Sequence, residues 1–277
     1  MSSLDIERLS QLPDDEIDLG RAALLVARLE YPALDPTGVL LRLDAMAGRI
    51  RESISPAARV ADRVAAINRY LFEEQGFRGN RDEFYDPRNS CLNAVLERKL
   101  GIPISLSVLY MEIGRRLGLE AEGVSFPGHF LVRITCELGV IVLDPYNSGL
   151  SLSEEDVRER LAQQTRPEFA ESADLAEVLH PAGKKEILAR MARNLKRVYA
   201  EAGETQKAIQ AATLILTLQP DAHAELRDRA LLYRRIEAYR AALADLTRYL
   251  EEEPEAHDAD ALRGLVIELR GINARFN

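Results

Sequence analysis

Only two of the 277 residues are cysteine, Cys91 and Cys136. That is too few for a disulfide framework, and neither stands at a spacing that suggests zinc, so both are expected to remain thiols, with no metal or other cofactor. Long apolar runs are also missing. The longest uncharged stretch near the middle, Leu100 to Met111, falls well short of the roughly 18 residues that suggest a membrane span. The first residues, Met1 to Arg8, carry acids where a secretion signal needs a basic flank, so a cytoplasmic setting is expected. Positive charge is in deficit: 36 Lys and Arg against 45 Asp and Glu leave a formal net charge of -9. The bases form no stripe, which argues against nucleic acid and acidic membranes as partners. Composition leaves the oligomeric state open.

What the chain does contain is helical patterning. A hydrophobic content of 47% suits a real core, and the length suits two domains. Amphipathic segments over Leu19–Leu29, Gly38–Ile54 and Val60–Glu74 read as scaffold helices. Ser90 is positioned to cap a helix bearing Leu92, Val95 and Leu96 on one face. Pro103 then opens a helix to Leu117 that is apolar over most of its circumference and should be central. Ser153 and Asp156 have capping-box spacing for a helix through about Ala162, and Thr165–Gly183 reads as a linker. Further on, Tyr199, Ala208 and Pro220 recur 34 residues later as Tyr233, Ala242 and Pro254. That period resembles the tetratricopeptide repeat, with second helices over Gln206–Leu218 and Tyr239–Glu252 and a cap over Asp258–Phe276.

Candidate chemistry centres on a hairpin. If Thr135–Leu138 form a four-residue loop, Ile134 pairs with Gly139 and His129 falls opposite Asp144, with Cβ atoms roughly 5 Å apart. Alternation then turns His129, Leu131 and Arg133 toward a cleft and Phe130, Val132 and Ile134 toward the core. A carboxylate-held imidazole is the orienting half of a nucleophilic triad, although Asp before Pro is also a common turn starter. The nucleophile is less obvious. Cys91 lies beside Leu92 on an apolar face, as a buried inert thiol would, and Ser105 and Ser107 at a helix start have structural uses.

Gly79-Asn80, Tyr85-Asp86-Pro87, Asn89-Ser90, Leu92-Asn93, Gly101-Ile102-Pro103-Ile104-Ser105, Phe126-Pro127-Gly128-His129 and Leu143-Asp144-Pro145 together resemble the SirB family. The resemblance implies an α+β, predominantly helical fold: a papain- or transglutaminase-like core with a small antiparallel sheet, then an all-α tetratricopeptide-like array. Residues 1–180 would hold the core and 181–277 the repeats. In the wider transglutaminase-like superfamily a cysteine opens the central helix and a histidine and an aspartate follow on adjacent strands. His129 and Asp144 match the latter two, but the cysteine position is Pro103, which can neither attack nor donate. What remains is an anion-recognising surface at the helix start, formed by Pro103, Ile104, Ser105, Leu106, Gly128 and His129. The expected function is non-catalytic protein or peptide binding; the alternative is a cysteine-dependent amide hydrolase or transamidase using Cys91, His129 and Asp144, or Ser105 as a shifted nucleophile.

Overall fold

The computed structural model describes residues 3–137 and 139–275. In chain order its helices are α1 (Ser3–Gln11), α2 (Leu19–Ala27), α3 (Pro36–Glu52), α4 (Val60–Asn68), α5 (Leu92–Arg98), α6 (Pro103–Arg116), α7 (Glu154–Gln164), α8 (Pro167–Ser172), α9 (Leu175–Val178), α10 (Lys184–Glu201), α11 (Thr205–Leu218), α12 (His223–Arg235), α13 (Tyr239–Glu252) and α14 (Ala259–Arg275). The chain divides into two compact units, one from Pro13 to Ile187 and one joining the residues up to Leu12 with those from Leu188 onward. No helix among the described residues is long and apolar enough to cross a membrane.

In the first unit, α6 is buried from Ile104 to Gly114, as its apolar circumference demands. Its one buried acid, Glu112, is neutralised by Arg116 at 2.5 Å and Arg115 at 3.2 Å. Besides the short parallel pair β1 (Arg78–Gly79) and β2 (Leu100–Gly101), this unit holds an antiparallel sheet ordered β3 (Ala121–Val124), β4 (Leu131–Cys136), β5 (Gly139–Asp144), β6 (Leu150–Leu152). The hairpin departs from the expected register. Val132 pairs with Leu143 and Cys136 with Gly139, so the loop shrinks to two positions, Glu137 and Leu138, of which Leu138 lies outside the described residues. Gly139, at φ 129°, permits so tight a return. A slip of two residues preserves the face of every side chain.

Both faces of this sheet are covered, which corrects the expectation that Leu131 looks into a cleft. Leu131 is fully buried with Val142, Leu152, Val157 and Leu161. The supposed linker supplies part of that cover: α8 and α9 bring Ala170, Leu175 and Val178 onto the same cluster. The expected helix over Val60–Glu74 also breaks, since α4 stops at Asn68 and a wider turn carries Arg69–Glu74. The cap of α5 is Cys91 instead of Ser90, which closes a short turn over Pro87–Ser90.

In the second unit, α11 to α14 share one buried cluster that includes Leu216, Leu226, Ala230, Ala242, Leu246, Tyr249 and Leu269. The small residues Ala230 and Ala242 are buried within it, and the partly buried ion pair of Arg229 with Asp245 at 2.7 Å ties α12 to α13. The expected cap helix is α14; Phe276, its expected last residue, lies outside the described residues. The 34-residue repeat extends to backbone strain. Between the paired helices the first copy has Gly203 at φ 76°, whereas the second has Glu237 at φ 59°. A side chain there costs about 1 kcal/mol. Because Glu237 is exposed, Glu237→Gly is expected to stabilise the protein by about 0.5–1 kcal/mol, read as a higher urea midpoint with unchanged m.

Candidate functional site

Asp144 ends β5 immediately before Pro145, and its carboxylate does two jobs. As a turn starter, Oδ1 accepts the backbone N–H groups of Tyr146 at 3.1 Å and Asn147 at 3.3 Å. The same oxygen lies 2.9 Å from Nε2 of His129. Oδ2 accepts Asn147 Nδ2 at 2.7 Å and a short ion pair from Nη1 of Arg160 on α7. Asp144 is wholly buried. Burial raises a carboxyl pKa, but the hydrogen bonds and charges of His129, Asn147 and Arg160 outweigh it and hold Asp144 well below the usual carboxylate range. An ionised carboxylate can only accept, so His129 carries its proton on Nε2, and in the neutral ring Nδ1 bears the lone pair.

His129 does not sit on β4 but in the bend before it, held by its N–H donating to Phe126 O at 3.1 Å. Gly128, at φ 66°, makes that bend, and a Cβ there would collide with the carboxamide of Gln164. The Tyr146 ring meets the imidazole edge-on, with centroids 5.9 Å apart. Burial raises the Tyr146 pKa, which keeps the phenol protonated. Arg81 donates to Asn147 Oδ1 at 2.7 Å and lies 6.0 Å from the Tyr146 ring centre. A Cβ at Gly79 would overlap that ring, so glycine is required for Tyr146 to take this place.

These groups line a cavity of about 530 Å³. One wall is the bend from Phe126 to His129 with Tyr146, Asn147 and Arg81; the other is α7, with Asp156, Glu159, Arg160, Gln163 and Gln164. Among the described lining residues there is no serine, threonine or cysteine. The cavity unites Gly128 and His129, but Pro103, Ile104, Ser105 and Leu106 are not among its walls. The expected anion surface at the start of α6 is closed over. Ser105 Oγ donates to Asn89 O at 2.6 Å and accepts the Ile102 N–H at 3.0 Å, while Leu106 N–H donates to Ile102 O. Ser105, fully buried, therefore serves as a helix cap, and Ser107 reaches Phe130 O at 3.4 Å. Cys91 is also fully buried, with Sγ 3.5 Å from Pro87 O. Neither cysteine is in a disulfide. No three His, Cys, Asp or Glu side chains among the described residues are grouped to hold a metal.

Nothing in the local sequence singles out Arg160, because its role depends on how α7 docks over the sheet. Asn147 was missed as well, although the Asp-Pro-Tyr-Asn order carries the signal of a capping turn.

Comparison with known proteins places this geometry. The model of the transglutaminase-like superfamily matches residues 37–193, and that of the tetratricopeptide repeat matches residues 195–266. A UPF0162 protein of Xylella fastidiosa is 42% identical over 261 residues, covering 94% of this chain and 93% of its own. The UPF0162 protein PA3419 of Pseudomonas aeruginosa is 36% identical over 232 residues, 84% and 83% of the two chains. F-box only protein 21 of Pongo abelii is 30% identical over 206 residues, 70% of this chain but 32% of that one. No solved structure shows significant similarity. The chain thus belongs to the transglutaminase-like superfamily, among its UPF0162 members, and carries a tetratricopeptide repeat region after that core.

Proposed function

We propose that this protein is a non-catalytic peptide- or protein-binding member of its superfamily, a reading in keeping with its resemblance to the SirB family. The observation that carries it is the cavity itself: an oriented His129–Asp144 pair with no hydroxyl of serine or threonine, and no thiol, among the described walls. A triad without its nucleophile retains only binding and any oxyanion stabilisation, a fall on the order of 10⁶ in turnover where this was measured in a hydrolase. The walls suit a polar chain: Asn147, Gln163 and Gln164 offer both donors and acceptors to peptide groups. A repeat region adds a second surface of a kind that commonly engages proteins.

The test uses the full chain, a fluorescent primary amine and a casein digest as the source of glutamine-bearing peptides. Label transfer is expected to equal the His129→Ala background, while native gel filtration with mass spectrometry finds peptides retained by the wild type and depleted in His129→Ala. Transfer that depends on both Cys91 and His129 would replace this reading with the cysteine-dependent transamidase.

A further inference from the structure

The turn from Arg81 to Asp86 joins β1 (Arg78–Gly79) to the segment leading into α5, and its first residue, Arg81, is already a wall of the cavity. Three and four residues along the same turn, Phe84 is 41% and Tyr85 51% exposed, an unusual place for two adjacent large aromatics. Their rings pack edge to face, with centroids 5.4 Å apart. The turn beneath them is held by two buried amides. Asn80 Oδ1 accepts the Glu83 N–H at 3.1 Å, and Asn89 Nδ2 donates to Glu83 O at 2.6 Å and Phe84 O at 3.3 Å. Asn80 Nδ2 donates to Asn89 Oδ1 at 3.0 Å, and Arg98 Nη1 donates to the same oxygen at 3.1 Å.

Buried amides are tolerated only when satisfied, and here they are satisfied by the backbone of this exposed turn. The aromatics are therefore presented in a fixed arrangement, so that little side-chain and loop freedom remains to be lost on binding. Rigid aromatic pairs of this kind are typical anchors of recognition surfaces. Charge defines the other half. Arg160 is paired with Asp144 and Arg88 with Asp86, so of these three bases Arg81, which donates to the neutral Asn147 Oδ1, alone keeps an uncompensated charge against the exposed acids Asp82 and Glu83 on the turn and Glu159 on α7.

We propose that Phe84 and Tyr85 form the entry platform of the cavity and that the partner is a basic peptide segment with apolar anchors, lying across the aromatic pair and continuing past Arg81 to His129. This deepens the binding reading above and rests on it for the cavity half of the contact.

The probe is a fluorescein-labelled twelve-residue peptide with Leu and Phe anchors spaced by Lys and Arg, titrated into the full chain by anisotropy. Its counterpart carries Glu at every basic position. The basic peptide is expected to bind at least tenfold tighter than the acidic one, and the double variant Phe84→Ser/Tyr85→Ser to weaken it at least tenfold with an unchanged Tm. His129→Ala is expected to weaken it by a smaller factor. Equal affinity for the two peptides, no binding up to about 1 mM, or full affinity in the double variant would overturn the platform. Loss of affinity in the double variant with none in His129→Ala would keep the platform and overturn the cavity reading instead.

Discussion

Asp144→Ala is expected to destabilise the first unit by about 3 kcal/mol, the lower end of what breaking a buried pair costs, and to lower its Tm by roughly 5–10 °C. The residue accepts from five donors while wholly buried, so its removal leaves Arg160, Asn147 and His129 without their carboxylate. The lower end applies because Arg160 keeps 25% and His129 19% of its side chain exposed, and water recovers part of the loss. Asp144→Asn should fall between wild type and alanine, since one acceptor survives but the ion pair with Arg160 does not. The effect has a pH signature. The folded carboxyl lies below its ordinary value of 3.8, so its stabilisation is complete above that value and is lost as pH falls through the depressed folded one. Thermal melts from pH 7 to pH 2 should show the gap between wild type and Asp144→Ala narrowing only below about pH 4, where the unfolded carboxyl takes up its proton. A gap that is constant across this range would mean that the carboxylate's charge contributes nothing to the fold.

Much of this arrangement could be read from residue order, and the failures have a common cause. Pro103 at a helix start and the apolar circumference that follows it located α6. The 34-residue recurrence of Tyr199, Ala208 and Pro220 located α11 and α13 as the second helices of paired units. Local chemistry also showed that Asp144 would start a turn at Pro145. The loop length of the hairpin was misjudged, since Thr135 and Cys136 can serve equally as loop or strand, and the left-handed geometry of Gly139 decides between them. His129 meets Asp144 from the bend before β4, outside the paired strands, so their contact does not follow from strand register. Arg160, Arg81 and Gln164 were beyond reach, for their places depend on how distant elements dock. Thr165–Gly183 was misjudged because its short helices gain stability from covering Leu131 and Val142, which no window of local sequence contains.

Alkylation of the native protein is expected to give the largest contrast of all. Iodoacetamide should modify Cys136, half-buried at the end of β4, at least a thousandfold faster than Cys91. Cys91 is fully buried at the first turn of α5 with its sulfur directed at Pro87 O, so the reagent reaches it only when that region opens. An opening free energy of about 4–5 kcal/mol, below the global stability of an ordinary domain, already slows labelling by about a thousandfold or more. Urea should therefore accelerate Cys91 labelling in step with unfolding, whereas Cys136 should respond little. His129→Ala should leave the Cys91 rate unchanged, because neither the thiol nor its helix start is among the residues lining the cavity around the imidazole. A nucleophile in partnership with that imidazole would behave oppositely, reacting fast in native protein below about pH 7 and losing that speed in His129→Ala. Pro103→Cys extends the comparison, since residue 103 is half-buried and outside the cavity walls. A thiol placed there is expected to gain no reactivity from His129, read as the same labelling rate with and without His129→Ala.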